Sequence, residues 1–249
     1  MSIHYKNNAT FIKLSKISSS FLGKTMQLCF LFLTLHVDNS TIMTEIVSRY
    51  FPEFTARQHE QIDMMMQLYR EWNAKINVIS RRDIDNLYEH HVLHSLAIAR
   101  FVSFRPGTRL LDFGTGGGFP GIPLAVAFPE CHFRLIDGTG KKILVTNEVA
   151  KALGLTNVEA VKMRGEDEKG KYHFVVSRAV MPLPDLHKIV KKNISAEQNN
   201  AIANGIICLK GGNIDEETRP FGQKVKKQDI SLIYDEEWYK EKYVIYMPI

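Results

Sequence analysis

The stretch "LLDFGTGGGFPG", Leu110–Gly121, decides how this chain folds. An apolar run stops at one acid, Asp112, and five of the twelve residues are glycine. Glycine reaches positive φ freely and has no Cβ, so backbone can lie close to a neighbour there. Pro123, just beyond, suits the first turn of a helix. The pattern therefore predicts a strand, Arg109–Phe113, a bare loop, and a helix. Such a loop at the carboxyl end of a strand is where an open α/β sheet receives its ligand.

Two glycine templates overlap on this stretch. Gly116, Gly118 and Gly121 fit the dinucleotide pattern G-x-G-x-x-G. Gly114, Gly116 and Gly118, with Asp112 two residues before, fit the G-x-G-x-G loop of S-adenosylmethionine enzymes. Register favours the second, because Gly114 directly follows the strand. Asp112 also suits a cationic ligand, and the loop is expected to offer backbone N–H groups at the helix start. Asp137 ends the next strand, about twenty residues on, where an acid accepts bonds from ribose hydroxyls.

Outward from the loop, short apolar runs alternate with helical stretches. Strands are expected at Arg109–Phe113, His132–Asp137, Val158–Met163, Phe174–Ser177 and Gly205–Cys208. Helices are expected at Ile122–Phe128, Lys141–Leu153 and Leu183–Val190. That alternation predicts a parallel sheet with helices on both faces. "ISLIY" (Ile230–Tyr234) and "YVIYMPI" (Tyr243–Ile249) read as a closing antiparallel hairpin. Before the sheet, Ile62, Met65, Met66, Tyr69, Trp72 and Ile76 follow a helical period, as do Ile84, Leu87, Tyr88, His91, Val92, Ser95, Leu96 and Ala99. The division is thus an extension over 1–42, a small helical cap over 43–104, and the sheet domain over 105–249.

Residues 1–42 differ from the rest. Four lysines precede the apolar run "MQLCFLFLTL" (Met26–Leu35), which resembles a secretory signal without a small-residue cleavage site. The helical pattern begins after Met43, so Met43 is expected to be the biological start and 1–42 to pack poorly. This segment carries +3 of the net charge of +5, leaving +2 on the remainder. A polyanionic partner would need a local patch. Candidates are Lys141, Lys142, Lys162, Lys188, Lys191, Lys192, Lys224, Lys226 and Lys227, with Arg81 and Arg82. The scattered cysteines Cys29, Cys131 and Cys208 make no metal or disulfide pattern and fit a reducing cytoplasm. His90, His91 and His94 lack a third ligand motif, so no metal is expected.

Two further segments carry chemistry. Arg164–Asp167, after the third strand, is placed to close over an adenine, with Gly165 allowing close approach and Glu166 accepting a bond. Ser177-Arg178-Ala179 ends the fourth strand, where acceptor and donor meet. Arg178 there needs an anion, such as a donor carboxylate or a phosphate. No [DN]-P-P-[YFW] box is present for an exocyclic amine, and no cysteine sits at that strand end. Cys208, inside an apolar run, reads as core.

Together, "WNAKIN" (Trp72–Asn77), "HHVLHSLA" (His90–Ala97), "LLDFGTGGGFPGIPLA" (Leu110–Ala125), "LIDGTGKK" (Leu135–Lys142), "RGED" (Arg164–Asp167), "VVSRAV" (Val175–Val180) and "CLKGG" (Cys208–Gly212) resemble the small-subunit ribosomal RNA guanine-N7 methyltransferase family, RsmG or GidB. The resemblance runs from about Met43 to the C-terminus. It implies a class I, Rossmann-like methyltransferase fold, S-adenosylmethionine as cofactor, and N7 of one guanine in 16S rRNA as acceptor. It further implies a cytoplasmic monomer with no membrane association. By motif position the family's cofactor contacts fall on Gly114, Phe119, Gly165, Glu166 and Arg178, beside Gly116 and Asp137 read from the loop itself. His94 stands where the family usually has an acid, and Gly117 where proline is common. Guanine N7 carries a free lone pair and no proton. Its methylation needs alignment and a suitable field and no general base, so no catalytic base is assigned and Arg178 is the candidate. A protein or small-molecule acceptor is the alternative.

Overall fold

The computed structural model describes residues 39–249. The extension expected over 1–42 lies, up to residue 38, outside the described residues. Its last four residues open the first described helix, α1 (Asn39–Tyr50), four residues before Met43.

The helix α2 (Ala56–Lys75) starts at a reciprocal cap. Gln58 N donates to Thr55 Oγ1 at 3.3 Å and Thr55 N donates to Gln58 Oε1 at 2.9 Å. That exchange satisfies two amides that a helix start leaves unpaired. Gln58 Nε2 also donates to the carbonyl of Val126 at 2.9 Å, and buried Gln61 Nε2 to that of Leu153 at 2.8 Å. The N-terminal helices are thereby tied to the segments that flank the sheet. Ile62, Met65, Met66 and Tyr69 form the buried stripe, as their spacing requires, while Met64 and Trp72 are half-buried.

The second helical period is built differently from expectation. Ile84–Asn86 is a 3-10 turn, Leu87–Leu93 a π-helix, and only α3 (His94–Phe101) is α-helical. π-helical turns are rare and gather at functional sites. This one carries His90 and His91.

The sheet holds β1 (Arg109–Phe113), β2 (His132–Asp137), β3 (Val158–Lys162), β4 (Phe174–Arg178), β5 (Gly205–Gly211), β6 (Lys226–Asp229) and β7 (Lys242–Pro248). Their spatial order is β3-β2-β1-β4-β5-β7-β6. The first five are parallel; β7 pairs antiparallel with both β5 and β6. Between strands run α4 (Gly121–Ala127), α5 (Gly140–Ala152), α6 (Leu183–Val190) and the one-turn α7 (Asp215–Thr218). The order switches direction between β1 and β4, which opens a crevice at the strands' carboxyl ends.

Side chains alternate along the strands, so β1, β2, β4, β5 and β7 each feed two cores. In β5, Ile207 and Leu209 join one core with Tyr69, Leu96 and Phe174. Ile206 and Cys208 join the other with Leu186 and Val190 of α6. Cys208 is core, as expected, and its burial pushes the thiol up to about 12.

The closing hairpin needs correction. "ISLIY" is not its first strand; Lys226–Asp229 is. Ile230–Leu232 forms a 3-10 turn capped by Asp229, whose side chain accepts from Ser231 N at 3.0 Å. Ile230 and Tyr234 are both buried and Tyr234 N bonds the Ile230 carbonyl at 3.0 Å, whereas Leu232 is exposed. Burial at i and i+4 with i+2 exposed breaks the alternation of a strand and is a turn pattern; the apolar run mimicked a strand only in composition.

Candidate functional site

A cavity of about 710 Å³ lies at the carboxyl ends of the parallel strands. Over β1 and β2 its wall is the loop Gly114–Gly117 with Phe119, Asp137 and Lys142. Over β4, β5 and β7 it is walled by Arg178, Ala179, Val180, Lys210, Lys242 and Trp238, with His90, His91 and His94 closing it from the helical side.

The loop glycines serve different ends. Gly114, Gly116 and Gly118 all hold positive φ. A Cβ on Gly114 would lie 2.6 Å from Val180 Cγ2, and one on Gly118 would press on Ile122 and Tyr69. A Cβ on Gly116 would meet nothing within 4 Å, so this is the glycine that looks into the open cavity. The crowding that excludes side chains at Gly114 and Gly118 therefore comes from the protein itself.

Four of the loop's amides are already engaged. Gly114 N and Thr115 N both donate to the Ile136 carbonyl at 2.9 Å, and Gly118 N to that of Thr115 at 2.9 Å. Gly116 N donates to Asp137 Oδ2 at 3.1 Å. The expected row of N–H groups facing a ligand is not formed. A dinucleotide's pyrophosphate needs such a row, so this loop disfavours the dinucleotide template.

Asp112 departs from expectation. It is fully buried, outside the cavity wall, and its Oδ2 accepts from Thr115 Oγ1 at 2.6 Å and Gly121 N at 2.8 Å. Burial pushes it up to about 7 against those bonds. It holds the loop's shape and does not face a ligand.

Asp137 lies at the end of β2, on the cavity wall. Its carboxylate accepts from Gly116 N and from Thr139 N at 2.7 Å. Each oxygen keeps a further lone pair for a hydroxyl. Gly165 and Glu166 lie beyond the cavity wall. A Cβ on Gly165 would strike the Phe113 ring at 1.8 Å, so glycine here serves packing. Glu166 is exposed, and its carbonyl accepts from Lys192 Nζ.

Arg178 ends β4 at the middle of the cavity. Its guanidinium lies 5.1 Å from the centre of the Phe119 ring. Its Nη1 donates to the His90 carbonyl at 3.2 Å and its Nη2 to His91 Nδ1 at 3.0 Å. His91 Nε2 in turn donates to Asp83 Oδ2 at 2.7 Å, and His90 Nδ1 donates to Asp83 Oδ1 at 2.5 Å. Burial and the Arg178 cation push His91 down to about 4, so it is the neutral tautomer that both bonds require. Burial works against the charge of Asp83, yet the two histidine bonds hold it below the usual carboxylate range. Burial lowers Arg178 to about 10, with Asp112, Tyr69 and Asp83 opposing. At neutral pH it remains a cation. Among the described residues no carboxylate ion-pairs with it. A half-buried cation at a cavity wall without an anion calls for one from a ligand.

The strand-to-helix turn after Arg178 is held in place. Ala179 takes φ +52°, unusual for a residue with a Cβ. Lys210 Nζ donates to the Met181 carbonyl at 2.7 Å and to Glu217 Oε2 at 2.7 Å, while Leu183 N donates to the same carboxylate oxygen at 2.7 Å.

Of the residues expected from sequence, Gly114, Gly116, Phe119, Asp137 and Arg178 line one cavity, whereas Gly165 and Glu166 do not. Sequence reading misses Asp83, the roles of His90 and His91, and Trp238. The signal for Trp238 was an aromatic amid charges, "DEEWYKEK" (Asp235–Lys242). His90 and His94 do not pair toward a metal: His90 bonds Asp83 and stacks on Trp238, and His94 packs on the indole edge. Among the described residues no group of three His, Cys, Asp or Glu side chains is placed to hold a metal ion. No described helix is long and apolar enough to cross a membrane.

The site fits the expected methyl donor. Gly116 opens a cradle that a Cβ would fill, Asp137 offers acceptors, and Arg178 lacks an anion. Comparison with known proteins points the same way. The family model for rRNA small subunit methyltransferase G matches residues 58–233. A Ribosomal RNA small subunit methyltransferase G from Bacteroides thetaiotaomicron is 57% identical over 205 residues, 82% of this chain and 100% of that protein. One from Porphyromonas gingivalis is 54% identical over 207 residues, 83% of this chain and 94% of that protein. A MtNAS mutant solved in complex with S-adenosylmethionine covers 92% of this chain and 99% of its own at TM-score 0.51 and 12% identity, a likeness of fold alone.

Proposed function

The chain belongs to the rRNA small subunit methyltransferase G family and is a methyltransferase that uses S-adenosylmethionine; from that premise we propose that it methylates N7 of one guanine in 16S rRNA. We propose that it does so in the cytoplasm and as a monomer, the setting that the family resemblance implies.

S-adenosylmethionine, when bound, supplies an electrophilic methyl group. Gly116 would give it room, Asp137 would take the ribose hydroxyls, and Arg178 would take the carboxylate. Gly114 shapes the loop by admitting Val180, and Phe119 backs the Arg178 guanidinium. Gly165 and Glu166, which follow β3 but lie beyond the cavity wall, would reach the adenine only if it extends past that wall. The chain's own residues then orient and exclude water; none has to remove a proton. The observation that carries this reading is that, among the described residues, no strong base stands free beside Arg178. Burial makes His91 and His94 weak bases, the Nδ1 lone pair of His91 already accepts from Arg178, and Asp83 is occupied by two imidazoles. An sp² nitrogen nucleophile needs no base. Neutral histidines also avoid adding charge where a cationic base forms.

The test is methyl transfer from labelled S-adenosylmethionine to small ribosomal subunits lacking the modification, followed by mapping of the methylated base. One labelled guanine N7 is expected. Label on a protein, on a small molecule or on an exocyclic amine would refute the reading.

A further inference from the structure

We propose that Trp238 is the stacking platform for the acceptor base, at the end of the cavity away from the glycine loop. This rests on the methyltransferase reading above and adds the residue that fixes the base plane. Topology places it there. Lys242, at the start of β7, pairs with Gly211 at the end of β5, so the segment before β7 arrives at the same sheet edge as the carboxyl ends of β1 and β4. Three strand spacings separate β1 from β7, about 14 Å. The donor half lies over β1 and β2, Arg178 lies between, and Trp238 faces the remaining space.

The indole is held rigidly while staying partly exposed. Its neighbours Tyr234 and Tyr239 are buried, and Tyr239 Oη donates to the Glu89 carbonyl at 2.6 Å on the π-helix. His90 stacks on the indole at 4.2 Å with an interplanar angle of 15°, and Asp83 pins that imidazole. Lys242 Nζ lies over the indole ring, 4.8 Å from its centre, on a flexible side chain that swings aside to admit a base and then neutralises a phosphate flanking it. A half-exposed aromatic on a fixed backing is what an unstacked base requires. Methylation at N7 depends on in-plane approach to the methyl group, so a platform that fixes the plane acts on rate as well as on affinity.

The experiment compares Trp238→Ala, Trp238→Leu and Trp238→Phe with the wild-type chain. S-adenosylmethionine affinity is read by calorimetry, and kcat/KM on under-modified small subunits by label transfer. The Ala and Leu variants should lose about ten- to a hundredfold in kcat/KM. They should bind S-adenosylmethionine as the wild type does, which also reports that they fold. The Phe variant should keep most activity. Full activity in the Ala and Leu variants, or a parallel loss of donor affinity in all three, would overturn the proposal. A second arm does not need turnover. In Trp72→Phe, Trp238 is the remaining tryptophan of the chain's two. Its fluorescence should be quenched by a small-subunit rRNA fragment carrying the target guanine, and unchanged fluorescence at saturating RNA would count against stacking. Wild-type chain that transfers no methyl to small subunits while this quenching persists would refute the reaction and leave the platform standing.

Discussion

Over β1 and β2 the cavity is walled chiefly by main chain, Gly114–Gly117, with Asp137 beside it. Over β4, β5 and β7 it is walled by side chains from four separate segments: His90 and His91, Arg178, Lys210, and Trp238 with Lys242. The first wall is one continuous run of sequence, and glycine spacing dictates its shape. The second exists only after the π-helix, the end of β4 and the turn before β7 have converged. The difference teaches where each half is vulnerable. The donor half fails when a side chain is added, and the acceptor half fails when one is removed.

Gly116→Val attacks the donor half most directly. The position holds φ +59° and opens on the cavity, so the added side chain is strained and fills the cradle. S-adenosylmethionine affinity should fall more than about a hundredfold, roughly 3 kcal/mol, by calorimetry. The rest of the fold should persist, and donor affinity retained by this variant would sink the loop assignment. Arg178→Ala stands at the junction of the halves. It removes a cation whose hydrogen bonds to a charged partner contribute about 1.5–3 kcal/mol. The expected result is a ten- to hundredfold loss of donor affinity; an unchanged donor affinity with lost RNA binding would move Arg178 to the acceptor half.

Asp112→Ala probes the frame beneath the donor wall. It leaves the Thr115 hydroxyl and the Gly121 amide without an acceptor, at a cost of about 3 kcal/mol, read as a lower Tm. Asp112→Asn keeps an oxygen acceptor and should cost less. If both variants matched the wild type in Tm, Asp112 would not be what shapes the loop.

The smallest effect is on pH dependence in the acceptor half. His91 sits at about 4 in the fold against an ordinary 6.5. Between those values the unfolded chain binds the extra proton, so stability is full above about 6.5 and is lost as pH falls toward 4. Between pH 7 and pH 5 this contributes about 2 kcal/mol. His91→Asn should shrink the drop in Tm over that interval, and an identical drop would mean that His91 is not held neutral by burial and the Arg178 cation.

Legibility follows the same division. The parallel strands and their helices came out within about a turn of their observed ends, because short apolar runs and helical periods are local signals. The glycine loop and Asp137 were readable because their spacing is set by one strand–turn–helix unit. Asp112 was misread as facing a ligand, since sequence does not say which way an acid at a strand end turns. Asp83, His91 and Trp238 were not legible as a site. Asp83 and Arg178 meet only through an imidazole, and Trp238 reaches His90 only because Tyr239 and Tyr234 anchor its segment. "ISLIY" failed for a related reason. Its apolar residues fill a turn under the sheet edge, and composition alone does not separate that from a strand.

The central claim is that the bare loop after β1 receives S-adenosylmethionine and that the wall beyond Arg178 receives the base. Calorimetry on the wild-type chain, Gly116→Val and Trp238→Leu, each titrated with S-adenosylmethionine and with NAD, tests it most directly. The account predicts one donor bound by the wild type and by Trp238→Leu with equal affinity, none by Gly116→Val, and no NAD by any of them. NAD binding in place of S-adenosylmethionine, or equal loss of donor affinity in both variants, would contradict it.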